Sequence, residues 1–124
     1  MNEQEFKDRT KRFALRVIKL VEALPSKRIA QVIGGQLLRA GTSVGANYRA
    51  ACRAKSTADI IHKLSIVEEE ADEALFWMEL LVEADLIRKA RLEGLMVEAN
   101  EILAMIVASI KTLSARRLNP KSKI

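Results

Sequence analysis

The sequence contains few of the residues that cross-link or break a chain. Its 124 residues include one cysteine, two prolines and five glycines. A single cysteine excludes an intrachain disulfide and is typical of a reducing compartment. So few prolines and glycines disfavour a sandwich or barrel of many short strands, because the turns of such folds need them. The length suits one compact domain.

Aromatic residues and long apolar runs are also scarce. Three Phe, one Trp and one Tyr offer few surfaces on which bases could stack, which disfavours sequence-specific reading of single-stranded nucleic acid. No apolar run has the length of a membrane span, and residues 1–12 lack the apolar segment of a signal peptide. We therefore expect no membrane association and a cytoplasmic location.

Charge is distributed unevenly along the chain. The formal net charge is +5, but residues 1–60 carry +7 and residues 61–124 carry −2. Between residues 62 and 85, one lysine accompanies eight acidic residues. Such segregation predicts that faces of unlike charge meet, within the molecule or between copies, and it permits nucleic-acid binding. A mixed, solvated surface is the simpler alternative.

Apolar residues spaced three and four apart predict four helices, at about 6–24, 27–55, 57–85 and 89–115. Short links between them favour an all-α, antiparallel up-down-up-down four-helix bundle. The single bundle domain would span residues 1–118, and residues 119–124 would form a basic disordered tail. The first helix has the inward stripe Phe6, Thr10, Phe13, Val17, Leu20 and Leu24.

Capping residues mark where two of these helices begin. Pro25 ends the first helix, because proline lacks an amide hydrogen, and it leaves Ser26 to cap the second. Ser56 and Asp59 form a capping box at the start of the third.

The second helix is unusual because it is rich in glycine. Its apolar line is Ile29, Ile33, Leu37, Ala40 and Val44, and its glycines are Gly34, Gly35, Gly41 and Gly45. Each glycine costs about 1 kcal/mol relative to alanine in a helix interior, so the cluster needs a reason. We favour a continuous or kinked helix whose glycines admit a neighbouring backbone, over a break near Gly41 with a new cap.

The third helix has a strict apolar stripe from Ile60 to Leu81 and a second apolar set on its far side. A monomer has no use for that second set, so we predict an oligomer interface. Its members are Ile66, Phe76, Trp77 and Leu80.

Acidic residues one turn apart follow a flank of the third helix and repel one another. A basic ridge on the first helix could lie against them across a subunit boundary. The ridge consists of Arg9, Arg12, Arg16 and Lys19.

Catalytic and metal-binding chemistry have little support in the sequence. Asp59 and His62 have the spacing of half a di-iron motif, but His62 is the only histidine. Cys52 is best interpreted as a small packed residue, although flanking cations such as Arg49 could also lower the pKa of a reactive thiol. We therefore expect no enzyme activity, metal, cofactor or small-molecule substrate.

The stretch QLLRAGTSVGANYRAACRAKSTADIIHKLSIVEEEADEALFWMELL, from Gln36 to Leu81, resembles a bacterial family. Its members are four-helix-bundle proteins encoded in intervening sequences of 23S ribosomal RNA genes, and the similarity extends more loosely over residues 6–115. The resemblance implies an antiparallel bundle that assembles as a ring-like homopentamer. A similar pentamer is the accessory protein of diversity-generating retroelements, in which a basic surface contacts nucleic acid and a reverse transcriptase.

The family's recurrent polar positions have no catalytic role that the resemblance implies, and they are expected to be structural. They are Arg39, Ser43, Asn47, Arg53, His62, Lys63, Glu70 and Glu73. Asn47 is expected to bond Arg39, Arg53 or a neighbouring helix end, because a buried amide needs a partner. This chain departs from the pattern at Ala50, often Glu in the family, and at Glu69, often Lys. The second departure weakens any inherited phosphate contact there.

Two functions of different classes follow. The first is a non-enzymatic homo-oligomer, with a pentamer favoured, that associates with ribosomal or other structured RNA through basic residues. The second is a protein-interaction scaffold that binds no nucleic acid. The candidate nucleic-acid-binding residues are Arg9, Arg12, Arg16, Lys19, Lys27, Arg28, Arg116, Arg117 and Lys121.

Overall fold

The structure is a computed structural model, and it describes residues 1–118 of the chain. Within these residues it contains four helices and no strand. They are α1 (Glu3–Glu22), α2 (Arg28–Cys52), α3 (Thr57–Glu83) and α4 (Lys89–Leu118). The sequence-predicted ends differ from these by three residues at most. The tail that was expected to be disordered, residues 119–124, lies outside the described residues.

Of the two predicted caps, the one at Ser56 is present, although within residues 1–118 the Asp59 carboxylate does not complete the capping box by accepting from the Ser56 N–H. Ser56 accepts a hydrogen bond from the backbone N–H of Asp59 at 3.1 Å, which satisfies a free amide at the start of α3. The prediction for Ser26 is wrong, because Lys27 occupies the N-cap position of α2 and makes no side-chain capping bond. Since α2 begins at Arg28, Ser26 lies one residue too early to cap it.

The end of α3 shows why the predicted boundary at residue 85 was too late. Asp85 has φ 57°, a left-handed conformation that ends a helix. The N–H of Leu86 donates to the carbonyl of Leu81 at 3.0 Å, and that of Asp85 donates to Val82 at 3.0 Å. These bonds form a Schellman motif, in which glycine is usual. An aspartate there gave no recognisable stop signal in the sequence.

Each helix packs against two others to form a four-helix bundle. Among residues 1–118, α2 contacts α1 and α3 extensively, and α3 contacts α4. Of the adjacent pairs, the first and last helices approach each other least, and within residues 1–118 no Cα atoms of the diagonal pairs α1–α3 and α2–α4 lie within 8 Å of each other. The core therefore lies along the centre of a square of helices.

The stripe predicted for α1 and that predicted for α3 from Leu64 onward are confirmed as part of the core. Every member of the α1 stripe is buried, including Thr10, whose hydroxyl donates to the Phe6 carbonyl of its own helix at 3.1 Å. The α3 stripe is buried from Leu64 to Leu81. On α4 the buried residues are Leu92, Leu95, Ala99, Ile102 and Ile106.

α2 is a continuous helix through Gly41 and Gly45, as favoured from the sequence. Leu37, Ala40 and Val44 of its predicted apolar line are fully buried, but Ile29 is 59% exposed, so the prediction is wrong at the start of the line. Gly34 and Gly41 are also buried, because they face α1. A Cβ added at Gly41 would lie 2.8 Å from Val17 Cγ2, closer than carbon atoms pack. Glycine is therefore required where the two helices approach.

Candidate nucleic-acid interface

The predicted basic ridge on α1 is largely exposed. Arg12, Arg16 and Lys19 have exposed side chains, and within residues 1–118 none of them forms an ion pair. The three residues lie on the side of α1 that faces α4, because a Cβ added at Gly94 of α4 would lie 3.5 Å from Arg16 Nη2. These side chains can reach a ligand in solvent.

Arg9, the fourth member of the ridge, forms ion pairs with acidic residues of α4. Its Nε donates to Glu98 Oε2 at 2.7 Å, and its Nη2 donates to Glu98 Oε1 at 2.8 Å and to Glu101 Oε1 at 2.7 Å. Its Nη1 also lies 3.2 Å from the sulfur of Met105. The Arg9 side chain is 17% exposed. It therefore belongs to the contact between α1 and α4 and has little capacity left for a phosphate.

The ion pair and the charges around it shift the pKa of both Glu98 and Arg9. Hydrogen bonds from Arg9 hold the pKa of Glu98 below its usual value, against the opposing effect of burial. Arg16 and Arg12 add to this through their charge. Hydrogen bonds to Glu98 and Glu101 raise the pKa of Arg9 in turn. The acids of α4 thus offset part of the positive charge of the ridge.

A second group of cations, which was not predicted to bind nucleic acid, lines a groove between α1 and α2. Lys7 and Lys11 project from α1, Arg49 projects from α2 and Arg53 from the C-cap of α2, around a groove of about 440 Å³. Each pair is four residues apart, which places its members on one helix face. That spacing is visible in the sequence, but the pairing of the two faces depends on the register between the helices.

The remaining predicted basic residues do not join either group. Lys27 and Arg28 are exposed at the start of α2. Arg116 and Arg117 are exposed in the last turn of α4, where cations interact favourably with the helix dipole. Lys121 lies outside the described residues.

The predicted oligomer-interface residues divide into one exposed and three half-buried side chains. Phe76 is 50% exposed. Its ring meets that of Trp77 edge-on, with centroids 5.1 Å apart. Ile66, Trp77 and Leu80 are half-buried. Trp77 packs against the core, and its Nε1 is inaccessible and has no hydrogen-bond partner in the described structure.

The expectation that these four residues lie on the far side of α3 from the core is therefore wrong for Trp77. Glu73, one turn before Trp77, pairs with Arg39 of α2, so this flank of α3 faces a neighbouring helix. In a bundle each helix buries an arc wider than its central stripe, because it packs against two neighbours.

Three of the family-pattern residues form an ion-pair cluster between α2 and α3. Arg39 Nη1 donates to Glu70 Oε2 at 2.9 Å, and Arg39 Nη2 also contacts Glu73. Hydrogen bonding to Glu70 is the main cause that raises the pKa of Arg39. Part of the acidic flank of α3 is thereby neutralised within the chain.

The other family-pattern residues are more dispersed. Asn47 donates to the carbonyl of Ser43 at 2.9 Å, one turn back in the same helix, rather than to Arg39, Arg53 or another helix end. Arg53 and His62 are exposed, and Lys63 is half-buried. The structure therefore separates this set into an α2–α3 ion-pair cluster, a bond within α2 and three residues without a shared contact.

The residues considered for catalysis do not form a reactive arrangement. Burial raises the pKa of the Cys52 thiol, with Glu3 acting in the same direction and Tyr48 against it. A reactive thiol needs the opposite shift. Burial also raises the pKa of Tyr48. In residues 1–118, no three His, Cys, Asp or Glu side chains are grouped as metal ligands would be.

No described helix combines the length and apolar character needed to cross a bilayer.

Comparison with known proteins places this fold in a family. Residues 2–108 match the model of the family described as 23S rRNA-intervening sequence protein. A solved structure from Bacteroides thetaiotaomicron VPI-5482, described as a protein of unknown function from the S23 ribosomal protein family, is 37% identical with a TM-score of 0.83. The match covers 90% of this chain and 99% of that one. Curated protein sequences gave no significant match. The chain belongs to the 23S rRNA-intervening sequence protein family.

Proposed function

We propose that this protein is a non-enzymatic, cytoplasmic homo-oligomer that binds structured RNA through the basic surface of α1. The observation that carries the proposal is the row of exposed cations Arg12, Arg16 and Lys19 on one helix face, none of which forms an ion pair within residues 1–118. The names of the family and of its structural relative, which refer to ribosomal RNA and to a ribosomal protein, support RNA as the polyanion.

Contact with phosphates explains both the strength and the limits of such binding. Cations that neutralise phosphates release condensed counterions, so affinity falls steeply as salt rises. Phosphate contacts carry no direct sequence information. Since the chain has five aromatic residues in all, base stacking contributes little, and we expect recognition of RNA shape rather than of base sequence.

The proposal includes an antiparallel, up-down-up-down arrangement of the helices. The glycines of α2 support it, because a Cβ added at Gly45 would lie near Thr10, one at Gly41 near Val17, and one at Gly34 near Leu24. Contact positions thus rise along one helix as they fall along the other. The connections of four to five residues between helices also suit neighbours of opposite direction.

Assembly of several copies, with a ring of five favoured, would repeat the basic surface. Weak contacts to one RNA then add through avidity without any new contact in the subunit. The exposed ring of Phe76 beside the half-buried Trp77 supports this, because a large exposed aromatic side chain is typical of an interface.

The first test is purification of the protein from cells at low salt, followed by extraction and sequencing of any nucleic acid that accompanies it. We expect an ultraviolet absorbance ratio characteristic of nucleic acid, and RNA that is released as salt is raised. Protein that is clean at low salt, and that fails to retain added structured RNA, would contradict the proposal.

A second candidate function is a homo-oligomeric interaction scaffold, which the exposed Phe76 favours equally. In this alternative the ridge would meet the acidic flank of α3 across a subunit boundary and serve assembly alone. Charge reversal in the variant Arg12→Glu/Arg16→Glu separates the two. Loss of RNA with the oligomer intact supports RNA binding, whereas loss of the oligomer supports the scaffold. Solution mass measured while salt is raised would show whether charge holds the copies together.

A further inference from the structure

The groove between α1 and α2 is a concentrated region of positive charge on the molecule. Lys7 and Lys11 form one wall and Arg49 and Arg53 the other, and Asp8 is the one carboxylate that lines it. Four cations against one acid leave a net formal charge of +3 around a groove of about 440 Å³. Such a concentration of like charge repels itself unless an anion occupies the groove.

The cations remain available to an external ligand. Lys11, Arg49 and Arg53 are exposed, and among residues 1–118 none of them has an ion-pair partner. Lys7 lies 3.6 Å from Glu3, one turn away on the same helix. Exposed pairs of this kind contribute little, so a stronger anion can displace Glu3. Asp8 accepts a hydrogen bond from Gln4 Nε2 at 3.0 Å.

Apart from Gln4, small residues line the rest of the groove. Ala14 comes from α1, and Thr42, Gly45 and Ala46 come from α2. The Thr42 hydroxyl donates to the carbonyl of Leu38 in its own helix at 2.7 Å, so its proton is already used. This surface offers space but few free hydrogen-bond donors, which suits the backbone of a nucleic acid rather than the edge of a base.

We propose that this groove binds the sugar-phosphate backbone of an RNA strand. The inference rests on the proposed function and adds a second contact surface to it. The groove and the ridge lie on opposite flanks of α1, because Gly41 and Gly45 bring one flank against α2 and Arg9 ties the other to α4. An RNA held by both surfaces would pass across the exposed face of α1.

The arrangement favours a polymer over a small anion. In each wall the two cations are one helical turn apart, so positive charge is spread along the groove rather than focused on one point. A chain of regularly spaced phosphates can use all four cations together. A small phosphate ligand would reach one or two of them.

The test measures the affinity of the full-length protein for a structured RNA between about 50 and 200 mM salt. The groove variant is Lys11→Gln/Arg49→Gln, and the matched control is Lys89→Gln/Arg91→Gln, which removes the same charge from exposed positions at the start of α4. If two phosphate contacts are lost, the slope of log affinity against log salt falls by about 1.4 to 1.8. We expect this decrease for the groove variant, with affinity weaker by at least about tenfold near 0.1 M salt. The control should keep the slope of the wild type.

A third variant and a competitor make the outcomes distinct. If the ridge variant Arg12→Gln/Arg16→Gln weakens binding while the groove variant matches the control, RNA binding stands and the groove inference is wrong. If the wild type itself binds no RNA, the proposed function fails first. If a nucleoside triphosphate displaces RNA as well as unlabelled RNA does at equal phosphate concentration, the groove is a small-anion site and the inference is overturned. Far-UV circular dichroism and thermal unfolding check that each variant is folded.

Discussion

At the scale of single residues, Arg9 has a different role from the other members of the basic ridge to which its spacing assigned it. Periodicity placed it in one ridge with Arg12 and Arg16. Its guanidinium instead binds Glu98 and Glu101, about ninety residues further along the chain. No local pattern reports that contact, because it depends on how α4 lies against α1. The exposure of Arg12 and Arg16, by contrast, follows from helix period alone.

We expect Arg9→Gln to destabilise the fold by about 1–3 kcal/mol at neutral pH, because it leaves the largely buried carboxylate of Glu98, which is 18% exposed, without its charged donors. Urea unfolding measures the change. Arg12→Gln is the matched control, and it should alter stability by no more than about 0.5 kcal/mol, since that side chain is exposed. Equal effects of the two substitutions would contradict the role assigned to Arg9.

The same pair predicts a pH dependence. The pKa of Glu98 is lower in the folded than in the unfolded protein, so its stabilising contribution is present above the unfolded value, about 4.3. It is lost as the pH falls through the folded value. The difference in stability between wild type and Arg9→Gln should therefore be largest at neutral pH and shrink towards pH 3. A difference that is constant over this range would show that charge is not its source.

At the scale of helices, α2 differs from the other three because glycine shapes its contact with α1. Val17 is β-branched and fully buried, so its methyl groups cannot move aside for a side chain at residue 41. Gly35 has the opposite environment, since it is exposed and a Cβ added there would meet no atom within 4 Å. The two glycines thus have different roles in one helix.

We expect Gly41→Ala to destabilise the protein by about 1–3 kcal/mol, the usual cost of overpacking a buried contact. Gly35→Ala should stabilise it by about 0.5–1 kcal/mol, because alanine is the better helix former. Chemical denaturation of both variants measures the difference, and each serves as the control for the other. A stabilising Gly41→Ala would mean that α1 and α2 can separate without cost.

How far the sequence could predict these elements depended on how each helix buries its face. α1 and α3 bury large apolar side chains at regular spacing, so their stripes could be found directly. The middle of the α2 line, at Leu37, Ala40 and Val44, was found as well. Its start was not, because the buried Gly34 has no side chain to contribute to an apolar pattern and Ile29 is exposed. The cap at Ser56 has a local signature, whereas the left-handed Asp85 has none.

At the scale of the whole molecule, we predict that Phe76 lies in the interface between copies of the chain. Its ring is half exposed and contacts Trp77 edge-on, so a substitution there leaves the core largely intact. We expect Phe76→Asp to lower the mass in solution to that of the monomer, because an interface would have to bury the new carboxylate. Val97→Asp is the control, since Val97 is equally exposed on α4. Light scattering after size exclusion measures the mass, and an unchanged oligomer would exclude Phe76 from the interface.

The candidate site shows the same division between local and long-range information. The ridge lies on one helix and could be found by counting residues. The groove needs Lys7 and Lys11 to lie opposite Arg49 and Arg53, which depends on the distance and register between α1 and α2. The glycines of α2 set that distance, so the four cations that charge the groove are not the residues that position its walls.

The sparse contact between α1 and α4 has a consequence for how the molecule opens. The contact between α1 and α4 is made by large side chains, such as Arg9 and Met105. The contact between α1 and α2, by contrast, depends on glycines that let the two backbones approach. The backbones of the first and last helices approach each other over a shorter stretch than those of the other three adjacent pairs, so less packing holds them together. Thermal motion should therefore admit water first along this boundary, and backbone amides beside it should exchange their hydrogens sooner than those between α2 and α3.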